Sequence, residues 1–116
     1  HMKPIDGTVP YDLFVDRLDP SAVRLQLDVG NLLVGGGDPM RYLARYTDRY
    51  WSFHLKDVVA DHSHDTELGA GVFDFKAFLR AVPRLERKPC YVEQEGPQDE
   101  MASARKNSDY LKALVF

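Results

Sequence analysis

The chain has 116 residues, a formal net charge of −3, 44% hydrophobic residues and one cysteine. That is apolar material for a single core, without the basic face of a general nucleic-acid binder and without an apolar run long enough to span a bilayer. A lone cysteine forms no internal disulfide, so a reducing, cytoplasmic setting is expected, and no membrane or nucleic-acid partner is. His1-Met2 reads as the scar of a cleaved tag and is set aside from fold reasoning.

Lys3 to Val9 is polar with a Gly7-Thr8 turn signal, a lead-in loop. Pro10 suits the first turn of a helix, and Leu13, Phe14 and Leu18 recur at helical spacing, which predicts a helix over Tyr11 to Leu18 that ends at Asp19-Pro20. Val23 to Asn31, VRLQLDVGN, then alternates: Val23, Leu25, Leu27 and Val29 fall on one face of a strand and Arg24, Gln26 and Asp28 on the other. Gly35-Gly36-Gly37 is a flexible turn. It lacks the Lys-Ser/Thr of a P-loop and the glycine spacing of a dinucleotide fingerprint.

Asp38-Pro39 opens a second helix with Met40, Leu43, Ala44 and Thr47 on its inner face. A second strand starts near Trp51, with Trp51, Phe53 and Leu55 facing one way and Ser52, His54 and Lys56 the other. Val59 to Gly71 is a polar loop containing His62 and His64, read as mobile rather than as a second metal site. Asp74 caps a third helix whose apolar face is Phe75, Phe78, Leu79 and Val82. Arg84 to Lys88 is a charged connection into the third strand, CYVEQEG, where Cys90 and Val92 oppose Tyr91, Glu93 and Glu95; Cys90 reads as a small buried hydrophobe. Gly96-Pro97 breaks that strand. Asp99 caps a last helix, with Met101, Ala104, Leu111, Leu114 and Val115 near one stripe. The aromatic set Tyr42, Tyr46, Tyr50 and Trp51 reads as packing.

Strands separated by single helices imply right-handed crossovers and a parallel sheet. The predicted class is therefore α/β, with about three strands and four helices. Such a sheet carries Asp28, His54 and Glu93 to one edge, where α/β proteins place their chemistry. A strand-end aspartate is commonly a cap, and a strand histidine commonly a hydrogen-bonded structural residue, so the residues alone leave both readings open.

LQLDVGN, FHLKDV, ELGAGVFDF and YVEQE, in this order and spacing, resemble the C-terminal half of the sugar phosphate isomerase/epimerase family, the xylose isomerase-like TIM barrels. The match runs from about Tyr11 to the end. The resemblance implies parallel (β/α) units forming the C-terminal part of a barrel, residues 1–116 being one partial domain whose strands correspond to the sixth, seventh and eighth. It implies a divalent metal, Mn²⁺ foremost with Mg²⁺, Co²⁺ or Zn²⁺ as alternatives, held by Asp28, His54 and Glu93. The family's fourth ligand, a glutamate on the fifth strand, has no counterpart in this sequence. Glu93 and Lys56 are the implied catalytic residues, and Lys56 and Asn31 the implied substrate contacts. Asn31 stands where relatives often carry His or Trp, and Ala70 where an acidic residue is frequent.

The implied activity is isomerisation or epimerisation of a sugar or sugar phosphate by proton transfer through an enediolate. The alternatives are a dehydratase of the same superfamily acting on an inosose-like substrate and a non-catalytic half-barrel module. An endonuclease is disfavoured by the net charge. A barrel of this kind needs about 250 residues, so this chain is expected to be inactive by itself. It is also expected to associate with itself or with a complementary N-terminal fragment.

Overall fold

The computed structural model describes residues 2–115, so His1 lies outside the described residues. The elements are α1 (Pro10–Arg17), β1 (Leu25–Asp28), α2 (Val29–Val34), α3 (Pro39–Arg45), β2 (Tyr50–Leu55), β3 (Asp57–Val58), β4 (Asp65–Thr66), α4 (Phe75–Ala81), β5 (Cys90–Val92) and α5 (Glu100–Ala113), with a 3₁₀ turn at Leu85–Arg87. β1, β2 and β5 form a three-stranded parallel sheet in the order β1-β2-β5, and β3 and β4 a short antiparallel pair. This is the α/β arrangement expected of part of a TIM barrel. Among the described residues, no helix is long and apolar enough to cross a membrane.

The core lies between the sheet and the helices. Leu25 and Leu27 of β1 and Phe53 and Leu55 of β2 are buried against Val15 of α1, Tyr42 and Leu43 of α3, and Phe75, Phe78 and Leu79 of α4. Phe53 and Phe78 meet edge to face with centroids 5.4 Å apart, and the Tyr11 and Tyr50 hydroxyls lie 3.1 Å apart. Asp38, Asp74 and Asp99 cap α3, α4 and α5 as their sequence positions predict, each accepting from a backbone amide of the first turn.

Four local expectations are corrected. The first strand stops at Asp28 instead of Asn31, because the Asp28 carboxylate caps a helix that starts at Val29. This fifth helix, α2, hides in an apolar run that alternation alone reads as strand. In β2, Leu25 pairs with Tyr50 but Gln26 with Ser52, so Trp51 is an extra residue in the ladder. The bulge resets the alternation: Tyr50 takes the core position and Trp51 is 48% exposed. In α3 the inner face is Pro39, Tyr42, Leu43 and Tyr46, whereas Met40 and Ala44 are exposed.

The fourth correction concerns β5 and α5. Cys90 is exposed rather than buried, as are Tyr91 and Val92. α5 docks through polar side chains, Ser103 and Asn107, which are its buried residues. Asn107 Oδ1 accepts from the Leu68 amide at 2.7 Å, and Ser103 Oγ donates to Glu67 at 2.9 Å. Of the expected stripe, Leu111 and Leu114 pack against the core, whereas Met101, Ala104 and Val115 are left outside, Met101 being 65% exposed. Between α5 and β5 runs an open groove of about 620 Å³, lined in part by Val92, Pro97, Ala104 and Leu111.

Candidate metal centre

Parallel register assembles the site. Asp28 ends β1 beside His54 of β2, and His54 pairs with Tyr91, two residues before Glu93. The Glu93 amide donates to Leu55 O at 3.1 Å, which carries the β2–β5 ladder one step beyond the strand. Three polar side chains thereby meet at the C-terminal edge of the sheet. His54 Nδ1 lies 2.6 Å from Glu93 Oε2 and 3.4 Å from Asp28 Oδ2. One ligand atom from each residue falls within 4.8 Å of the other two. Two carboxylates and one imidazole at this spacing are a hard-to-borderline donor set that fits a divalent ion such as Mn²⁺, Mg²⁺, Co²⁺ or Zn²⁺, with no thiolate to favour a softer one.

Asp28 is the cap its position allowed and also stands beside His54. Its Oδ1 accepts from the Asn31 amide at 2.8 Å and its Oδ2 from Asn31 Nδ2 at 2.9 Å, so it caps α2 while standing beside His54. Asn31 is thus placed against Asp28 in the first turn of α2.

Lys56 continues the inward row of β2 and is only 2% exposed. Its Nζ lies 2.9 Å from Glu93 Oε1, 2.9 Å from Glu95 Oε1 and 3.7 Å from Asp65 Oδ2. Burial pushes the ammonium down, but the hydrogen bonds to Glu95 and Glu93 and the charge of Asp65 outweigh it and hold Lys56 above the ordinary lysine range. The Lys56 hydrogen bond in turn holds the Glu93 carboxyl below the usual glutamate range, helped by the Lys56 and His54 charges. The lysine stem passes close over α2 at Gly30, where a Cβ would stand 2.5 Å from Lys56 Cγ.

Sequence reasoning missed three contributors. Asp57, wholly buried, accepts from the amides of Gly69 at 2.9 Å, Gly71 at 3.1 Å and Phe73 at 3.3 Å, anchoring the loop that returns from β4. The signal was the Gly-x-Gly turn: Gly69 has φ +81°, a conformation glycine adopts without strain, and its amide needs an acceptor. Asp65 also belongs to the site. Its Oδ2 accepts from the Glu95 amide at 2.7 Å, so the segment expected to be a mobile loop is tied to the end of β5. Glu95 itself, although exposed, bonds Lys56. His62 and His64 stay exposed, and among the described residues they form no cluster of metal-ligating side chains.

Comparisons with known proteins agree with this architecture. The family described as xylose isomerase-like TIM barrel matches residues 12–114. A sugar phosphate isomerase/epimerase from Parabacteroides distasonis ATCC 8503 superposes with a TM-score of 0.77 at 27% identity, over 92% of this chain and 37% of that one. A second structure so named from the same strain gives 0.78 at 26% identity, over 96% and 37%. An inosose dehydratase from Lacticaseibacillus casei is 32% identical over 67% of this chain. One from Geobacillus kaustophilus (strain HTA426) is 46% identical over a shorter stretch, 43% of this chain and 16% of that protein. The chain spans 32% of the length of the L. casei relative, about a third. With a match that runs through all five strands and ends beyond α5, the chain belongs to the xylose isomerase-like TIM barrel family.

Proposed function

We propose that this chain supplies three metal ligands and a proton-transfer group to a divalent-metal-dependent sugar or sugar phosphate isomerase/epimerase that works through an enediolate. The observation that carries the reading is the convergence of Asp28, His54 and Glu93 at the C-terminal edge of the sheet. Asp28, His54 and Glu93 would hold the ion, with Mn²⁺ the first choice on the family resemblance and Mg²⁺, Co²⁺ or Zn²⁺ equally compatible with the donor set. A bound divalent cation supplies polarisation of a carbonyl and its neighbouring hydroxyl.

The remaining chemistry falls to side chains of this chain. Glu93, kept ionised by Lys56, is in the state that accepts a proton from the carbon beside a carbonyl. Lys56 holds Glu93 in place and meets a substrate oxygen where that oxygen takes the place of the exposed Glu95 carboxylate. Asn31 lies within reach of a substrate hydroxyl beside Asp28. A second reading, dehydration of an inosose-like substrate, is favoured by the names of the curated relatives. It shares the first step, loss of the proton beside the carbonyl, and differs in that a hydroxyl on the next carbon then leaves as water.

Calorimetric titration with Mn²⁺ tests the centre. Asp28→Asn is the informative variant, because asparagine caps a helix as well as aspartate does but carries no charge. The wild-type chain is expected to bind, and Asp28→Asn to bind at least roughly tenfold more weakly. Equal affinity in the two proteins rules the centre out. In a complete barrel, exchange of a substrate C–H proton with solvent without loss of water marks the isomerase, and release of water marks the dehydratase.

A further inference from the structure

The opposite edge of the sheet carries a second convergence, and it is basic. Arg24 immediately precedes β1, Arg49 immediately precedes β2, and Lys88 lies two residues before β5. The same register that brings the strand ends together at the metal centre brings these residues together at the strand beginnings. With Arg84 from the connection after α4, they line a cleft of about 320 Å³. Asp48 is the one acidic residue on its wall.

Two of the cations are fixed by neutral partners. Arg49 donates to Val15 O at 3.0 Å and Leu18 O at 3.1 Å. Lys88 Nζ donates to Tyr50 O at 2.6 Å. None of the four makes an ion pair with a described carboxylate. Arg49 Nε is a buried donor with no acceptor among the described residues. Burial and the charge of Arg84 push Lys88 below the ordinary lysine range, although Asp48 opposes the shift. Four cations facing one carboxylate, two of them held at fixed positions, favour a multivalent anion, and arginine forks match the geometry of a phosphate.

We propose that this cleft binds a dianionic phosphate group, with Arg24, Arg49, Arg84 and Lys88 as its positive wall. The site lies at the edge away from the metal centre and is independent of the reading given above. It provides a binding function rather than a catalytic one.

The molecule carries its own reporter. Trp51 is the sole tryptophan and lines the cleft, with Arg24 Cζ 5.5 Å from its ring centroid. Inorganic phosphate titrated at constant ionic strength should change Trp51 emission saturably, and chloride should not. Arg84→Asn removes the guanidinium while keeping a residue that tolerates the left-handed backbone at φ 53°. It should weaken phosphate binding roughly tenfold by calorimetry, as should the exposed Arg24→Gln. Lys76→Met, on the exposed side of α4, should bind as wild type. Glycerol phosphate binding more tightly than inorganic phosphate supports the site and identifies a phosphate monoester as the ligand; the reverse order supports it with free phosphate. The proposal is overturned if phosphate gives no saturable response, if chloride reproduces it, or if both arginine variants bind as wild type.

Discussion

Asp57 shows how much a single side chain can organise. One carboxylate oxygen accepts from Gly69 and Gly71, the other from Phe73 and Val58, all backbone amides. Asp57→Ala leaves these donors without their acceptor in a site that admits little water. Such losses cost about 3 kcal/mol, so the urea midpoint should fall accordingly, and a midpoint within error of wild type would refute the anchoring role. Asp57 was not legible in the sequence because its partners lie 12 to 16 residues away, across a turn whose path the sequence does not draw. Asp28, His54 and Lys56 were legible for the opposite reason. Strand alternation fixes which side of the sheet a residue faces, and a parallel register then fixes who its neighbours are.

Among the elements, α5 is held by charge and hydrogen bonds at its first half and by Tyr110, Leu111 and Leu114 against the core at its end. Glu67 accepts from Ser103 at 2.9 Å and from Lys106 at 3.0 Å, tying the segment after β4 to the helix. The Lys106 hydrogen bond, with backbone and Ser103 support, pulls the Glu67 carboxyl down from 4.5 to about 2. A lowered folded-state value stabilises the fold above the ordinary value and ceases to do so as pH falls through the folded one. The Glu67 contribution is therefore present above pH 4.5 and is lost as pH falls through about 2. Glu67→Gln should flatten the pH dependence of the thermal midpoint across that window; an unchanged profile would show the pair to be inert.

The same polar docking explains why α4 could be read from the sequence and the inner face of α5 only at Leu111 and Leu114. Phe75, Phe78, Leu79 and Val82 repeat at helical spacing and all are buried. In α5 the buried positions are Ser103 and Asn107, which hydropathy cannot distinguish from surface residues. Length limited legibility elsewhere. α2 has six residues, too few for a period to show, and one extra residue at Trp51 inverted the expected faces at the start of β2.

At the scale of the molecule, β2 is paired on both sides, whereas β1 and β5 each pair on one side only among the described residues. β5 is short, exposed, and borders an apolar groove beside α5. Such an edge invites another strand or another copy of the chain. Light scattering should show a mass that rises with protein concentration. Val92→Lys should weaken that association roughly tenfold, the loss expected for a partly buried valine. A strictly monomeric wild type at high concentration would argue against an adhesive edge. The alternation of the three sheet strands with the longer helices, the parallel sheet and the edge that gathers the acidic and imidazole groups follow from sequence periodicity, because each is set by repeated local choices.

Lys56 is almost wholly enclosed, with Glu93 and Glu95 engaged at 2.9 Å. An acylating reagent needs a free amine lone pair and an open approach, and this amine offers neither. Surface lysines such as Lys76 and Lys106 react while Lys56 is passed over, so its acylation would signal that the sheet edge had come apart.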